Sequence, residues 1–217
     1  MPRPNLRRLA HQMRVRARTL GRQQPLVPRG YPSDFFLVHI NKTGGSSVAS
    51  ALRAPKLHVS APEALAYFGA DDWERRFTFS FVRNPWAKVA SHYHFRLHTN
   101  VTGLGDGHLG FSEWVCRAYG DRDPRYYNNP LMFAPQTEWL FDGDDRLLVD
   151  FIGRFERLDV DFAEVCRRLG VHRELPHVRR SSNSDRPYQE GYDERSKAVV
   201  ARAFASDIAE WGYSFDP

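Results

Sequence analysis

Phe35-Phe36-Leu37-Val38-His39-Ile40-Asn41-Lys42-Thr43-Gly44-Gly45-Ser46-Ser47 is the stretch from which the rest of the chain can be read. Residues 35–40 form an apolar run short enough for a buried strand. Residues 41–45 read as a turn, and residues 46–53 as the helix it opens. A strand that feeds a glycine turn and then a helix brings backbone N–H groups and the positive end of the helix to one point. Gly44 and Gly45 let the backbone approach an anion closely. Lys42 adds a formal charge, and Thr43, Ser46 and Ser47 add hydroxyl donors. The segment therefore reads as a site for a phosphate or a sulfate; alone, it also fits an ordinary strand–turn–helix with a surface lysine. It is not a Walker A loop, whose glycines precede the lysine. Here Lys42 follows Asn41, and the glycines come after it.

Working outward, residues 77–82 are a second strand rich in Phe and Val. Asn84-Pro85 then begins a long helix, with proline at the first helical position, where its missing N–H costs nothing. Arg83 thus lies at the carboxyl end of a strand, where open α/β sheets bind ligands. Ser91 follows eight residues later on the helix. The planar fork of an arginine matches a phosphate bidentately, and a serine donates one further bond.

Further along, a short strand is expected near residues 56–59, helices at 62–68 and 71–76, and a glycine-rich flexible loop at 103–110. A third strand is expected at 147–155, and helices at 158–169 and 193–210 with a polar segment 177–187 between them. Strands alternating with helices imply a mainly parallel sheet flanked by helices, in one α/β domain running from residue 33 to 217. Residues 1–32 are a basic arm and linker. Residues 4–22 have the spacing of an amphipathic helix, which fits an arm that packs on its own domain or stays mobile better than it fits a membrane-surface or partner-binding helix.

Composition sets limits on function. Hydrophobic residues make up 41% of the 217, the range of a globular protein. No stretch approaches the length of apolar residues that a membrane span requires, and the arginine-rich N-terminus has no signal-peptide core. A soluble, cytoplasmic protein is the expectation. Eight arginines and no acidic residue fall in residues 1–30, so the remaining 187 residues carry a net −3 against +5 for the whole chain. The basicity belongs to the arm, and no nucleic-acid face is expected on the body. Cys116 and Cys166 lie in helical patterns with apolar neighbours and read as buried thiols. Neither has a His or Cys at metal-ligand spacing, so no metal site is expected. Oligomeric state is not legible.

The two motifs resemble the signatures of the sulfotransferases of the carbohydrate-modifying superfamily, including heparan sulfate O-sulfotransferases and bacterial relatives. The first family signature reads approximately H-I-P-K-T-G-G-T-S; this chain has His39-Ile40-Asn41-Lys42-Thr43-Gly44-Gly45-Ser46-Ser47, with Asn41 in place of proline. The second is similar to Arg83-Asn84-Pro85 with Ser91. The resemblance extends from Phe35 to Phe215 and takes in Pro135-Gln136, residues 149–156 and Trp211-Gly212-Tyr213-Ser214-Phe215. It implies a fold like that of the P-loop NTPases. It further implies that residues 42–47 bind the 5′-phosphosulfate of 3′-phosphoadenosine 5′-phosphosulfate (PAPS), and that Arg83 and Ser91 grip the 3′-phosphate. Arg186, in a late loop at 181–188, is a further 3′-phosphate contact by the same resemblance.

The expected reaction moves a sulfuryl group from PAPS to a hydroxyl, of a carbohydrate or glycoconjugate, and releases 3′,5′-adenosine bisphosphate (PAP) without a metal. Such transfer needs in-line attack and charge stabilisation more than covalent help. Lys42 would stabilise charge on the oxygen bridging to the leaving nucleotide. Among nine histidines, His58 lies in the region where related enzymes carry a histidine base, and Glu63 is the alternative, since some relatives use a glutamate. Loops at 103–110 and 122–129 would shape the acceptor site, and Tyr126, Tyr127 and Trp139 either stack on sugar rings or pack in the core. The rival reading is a P-loop kinase, supported by an apolar run ending at Asp150, which imitates a Walker B strand. A second rival, a non-enzymatic binder acting through the arm, leaves both anion motifs unexplained.

Overall fold

A computed structural model of the chain describes residues 27, 28, 30–107, 109–176 and 187–216. In chain order the elements are β1 Phe35–Val38, α1 Gly45–Ala51, α2 Ala61–Phe68, α3 Ala70–Glu74, β2 Phe77–Val82, α4 Pro85–His98, α5 Phe111–Val115, α6 Pro130–Phe133, α7 Thr137–Leu140, β3 Phe151–Arg154, α8 Leu158–Leu169, α9 Glu194–Ala203 and α10 Ala205–Trp211. Where the sequence reads as one domain, the described chain groups into two compact units. The first comprises the described residues up to Ile40, Gly44–Val82 and Glu138–Pro176; the second comprises Asn41–Thr43, Arg83–Thr137 and the residues from 187 onward.

The first unit is built on a parallel three-stranded sheet in the order β1-β2-β3. Phe35 pairs with Phe77, and Phe79 with Phe151. Successive strand residues face opposite sides. Phe35, Leu37, Phe79 and Phe81 accordingly pack with Val48 and Ala49 of α1 and with Phe162, Val165 and Cys166 of α8. Phe36 points the other way, its ring 5.5 Å from those of Phe68 and Trp73. With both faces covered, the strands need the unbroken apolar runs they have. Each such side chain contributes roughly 1.5–3 kcal/mol by leaving water.

The second unit has a separate aromatic core in which Trp86, Val89 and Tyr93 of α4 meet Trp114, Tyr119, Phe133, Val199 and Phe204. Tyr126 is buried in it, and Tyr127 lies against Phe133 at 5.0 Å between ring centroids. In the first unit Trp139 is fully buried. Of the three aromatics considered for sugar stacking, Tyr126 and Trp139 therefore serve as core. Cys116 and Cys166 are buried free thiols. Among the described residues no helix is long and apolar enough to cross a membrane.

Several elements differ from expectation for local reasons. No strand forms near residues 56–59, where the chain runs instead into the Ser60 cap of α2. The third strand begins only at Phe151, because Leu147 bridges back to Phe141 and Asp150 is engaged with Thr78. Both the Thr78 N–H and its hydroxyl donate to Asp150 Oδ2 at 2.8 Å. That places Asp150 at the amino end of its strand, opposite to the end where a Walker B carboxylate meets a nucleotide. The C-terminal helix is broken into α9 and α10 at Phe204, whose fully buried ring sits on non-helical backbone (φ −116°, ψ 28°). The glycine-rich loop is partly ordered as a 3-10 turn over Val101–Asp106, held by buried Leu104. Residues 1–26 and 29 of the arm and linker, and residues 177–186 with Arg186 among them, lie outside the described residues.

Candidate functional site

The two cationic motifs follow the carboxyl ends of β1 and β2. After β1 the chain turns through Lys42 and Gly44, both in the left-handed region with φ 66° and φ 85°. For a lysine that conformation costs roughly 1–2 kcal/mol, a strain that functional loops retain. The two glycines have distinct reasons. Gly44 takes the positive φ, and a Cβ there would come within 2.8 Å of Leu158 Cδ2. Gly45 lies against the His39 ring, which a Cβ would strike. Among the described residues no side chain caps α1; the Ser47 N–H folds back to the Gly44 carbonyl at 2.9 Å. Ser46 is exposed, Ser47 half-buried and Thr43 buried.

The second unit unites the lysine with the arginine motif. Arg83 Nη1 donates to the Lys42 carbonyl at 3.2 Å. The Lys42 ammonium lies 4.5 Å from the centroid of the Phe95 ring. Burial, and then repulsion from Arg83, lower its pKa to about 8. The charge it feels is thus another cation, an arrangement suited to receiving an anion. Ser91 is half-buried on α4, one turn before Phe95 and therefore on the face that meets Lys42.

Asn84 sets the direction of α4. Its Oδ1 accepts from the N–H groups of Trp86 and Ala87, at 3.1 and 3.4 Å, while Nδ2 donates to the Ser214 carbonyl at 2.7 Å. The asparagine of the Asn-Pro pair is therefore a helix cap that also ties down the C-terminal segment. Gln136, on the loop before α7, holds the main chain of Arg83 with its side-chain amide. The sequence marked Gln136 only through the Pro135-Gln136 resemblance, and nothing in it pointed to Asp207, which in turn holds Gln136.

The histidines sort by environment. His92 is fully enclosed, hydrogen-bonded through Nδ1 to the Tyr119 hydroxyl at 3.0 Å, and held neutral by burial and then by Lys88, Arg96 and Lys42. Burial also lowers the pKa of His94. His39 is buried at the end of β1. In the first unit His58 is exposed, and its Nδ1–H donates to the His39 carbonyl at 2.9 Å. A carbonyl only accepts, so the proton is on Nδ1 and the lone pair on Nε2. The His58 ring also lies against that of His39, 4.5 Å between centroids and tilted by 38°.

Glu63 is fully buried at the start of α2, where its Oε2 accepts from the Ser60 N–H at 2.9 Å and from the Ser60 hydroxyl at 2.8 Å. This capping box gives Glu63 a structural role at the helix end. Among the described residues no group of three or more His, Cys, Asp or Glu is placed to hold a metal ion.

Comparison with known proteins bears on the same residues. The chain is 31% identical over 112 residues to an uncharacterized protein of Archaeoglobus fulgidus, a match covering 51% of this chain and 81% of that one. No solved structure matches. The model of the sulfotransferase family matches residues 35–210, from the first residue of β1 into the last turn of α10. With both cationic motifs and the whole sheet inside that match, the chain belongs to the sulfotransferase family.

Proposed function

We propose that the protein transfers a sulfuryl group from PAPS to a hydroxyl of a carbohydrate or glycoconjugate acceptor and releases PAP. The observation that carries this reading is the junction of the two motifs, in which the Arg83 guanidinium donates to the carbonyl of Lys42 and two cations stand together. In the proposed assignment, residues 42–47 hold the 5′-phosphosulfate, and Arg83 and Ser91 hold the 3′-phosphate. A lone pair of the acceptor oxygen attacks sulfur in line as the bond from sulfur to the bridging oxygen breaks. The electron pair of that bond leaves on PAP, where the Lys42 ammonium offsets the developing charge. The hydroxyl proton passes to Nε2 of His58, the nitrogen left basic by the bond from Nδ1 to His39. The family generally uses PAPS as donor, and the exposed ring of His58 supports the base assignment over the enclosed Glu63.

Calorimetric titration with PAP tests the reading. Micromolar binding without metal, lost in Lys42→Ala and Arg83→Ala, is the expected result. Preference for ATP with magnesium would overturn it.

A further inference from the structure

We propose that Gln136 and Asp207 form a positioning clamp that sets Arg83 for the 3′-phosphate; the proposal rests on the donor-binding reading above. Arg83 occupies an awkward place in the backbone. The ladder of β2 ends at Val82, and α4 begins at Pro85 behind the Asn84 cap. The main-chain groups of Arg83 therefore belong to neither element, and buried groups of that kind require partners. One side-chain amide supplies both. Gln136 Oε1 accepts from the Arg83 N–H at 2.9 Å, and Gln136 Nε2 donates to the Arg83 carbonyl at 2.9 Å.

The amide is itself held. Asp207 Oδ2 accepts from the Gln136 main-chain N–H at 2.9 Å and from Gln136 Nε2 at 3.0 Å. Its other oxygen accepts from the Thr137 N–H at 3.0 Å and the Thr137 hydroxyl at 3.1 Å. Only one orientation of the Gln136 amide satisfies this set, because the nitrogen must face both the carboxylate and the Arg83 carbonyl. Gln136 and Asp207 are both completely buried.

A buried carboxylate is expensive unless fully satisfied. Four donors satisfy Asp207, and the enclosed Lys88 adds a nearby positive charge. The whole arrangement converges on the backbone of a single residue, the one whose guanidinium bonds to Lys42. An anion-binding fork held this way keeps its direction before ligand arrives, and small misplacements at such sites have large consequences.

The test separates positioning from simple support of the fold. PAP and adenosine 5′-monophosphate differ only in the 3′-phosphate, so their affinity ratio reports the Arg83 grip. Calorimetry on the full chain would compare wild type with Gln136→Met, Asp207→Asn, Thr137→Val and Thr137→Ser. The ratio is expected to fall roughly 10- to 100-fold in Gln136→Met and Asp207→Asn, the range for hydrogen bonds to charged groups. Monophosphate affinity should hold, the fall in Thr137→Val should be smaller, and Thr137→Ser should retain the ratio. If the larger variants fail to fold, the two Thr137 variants carry the comparison. An unchanged ratio with a lowered melting temperature, or equal weakening of both nucleotides, overturns the clamp. A wild-type protein that binds the two nucleotides equally overturns the donor reading instead, and is recognised before any variant is made.

Discussion

His58 gives its Nδ1–H to the main-chain carbonyl of His39 across 2.9 Å, and that bond decides which nitrogen of the ring is basic. His39 itself is packed against Gly45 in the glycine turn, so the anchor of the proposed base and that turn share one residue. If Nε2 takes the acceptor proton, His58→Ala should lower the single-turnover rate of sulfuryl transfer by roughly 10²–10⁴-fold. The Kd for PAP should not change, because His58 is assigned no nucleotide contact. A rate within a fewfold of wild type would remove His58 from the chemistry.

The Lys42 ammonium predicts a pH dependence. Burial and Arg83 bring its pKa to about 8, so in the free protein it is charged at pH 7 and mostly neutral by pH 9. Binding of a polyanion favours the charged form, so affinity should be flat below about pH 7. Above about pH 8 it should fall by up to ~10-fold per pH unit. Lys42→Arg keeps its charge throughout this range, and its profile should be flat where that of wild type declines. Titrations of both proteins from pH 6.5 to 9.5 make the comparison; parallel declines would place the titrating group elsewhere.

Legibility of the fold followed the range of the physics involved. β2, α4 and α8 stand where the apolar runs and the Asn84-Pro85 start placed them, because strand alternation, a proline at the first helical turn and helical spacing are local properties. The ends of β3 were not legible. Residues 147–149 are as apolar as a strand, and the bridge from Leu147 back to Phe141 and the contact of Asp150 with the distant Thr78 keep the strand from starting before Phe151. The break at Phe204 was hidden similarly, since it depends on a core pocket in the second unit. At the site, Lys42, Gly44, Gly45 and Arg83 stood out by type and order. Gln136 and Asp207 did not, because their importance lies in contacts 53 and 71 residues apart in the chain.

Gly45 tests whether the second glycine of the loop serves packing. Its hydrogen faces the His39 ring, which an alanine methyl would strike. Overpacking of this kind costs about 1–3 kcal/mol, and here the ring that must yield also touches His58. Gly45→Ala should therefore lose both stability in urea unfolding and turnover, with the loss in turnover exceeding the loss in PAP affinity. Unchanged stability would mean that His39 moves aside freely and that the glycine is there for the anion alone.

Lys88 supplies the opposite kind of test, a gain of stability. It is completely buried on α4, its ammonium makes no hydrogen bond among the described residues, and it lies 5.2 Å from the centroid of the Phe204 ring. Burial chiefly lowers its pKa to about 8, Asp207 opposes the shift and Arg83 adds to it. In the unfolded chain a lysine titrates near about 10.4, so the unfolded state binds the proton more tightly. The penalty for charge burial is then complete below about pH 8 and relieved as pH rises towards about 10.4, so this group makes stability increase with pH across that window. Lys88→Met keeps the shape and removes the charge. At pH 7 it should be more stable than wild type by about 1–3 kcal/mol, and the gap should close as pH approaches 10. Urea unfolding of both proteins at pH 7 and pH 9.5 measures it. A variant less stable than wild type at pH 7 would show that attraction to Asp207 outweighs the desolvation of the lysine, reversing the balance assigned to this pair.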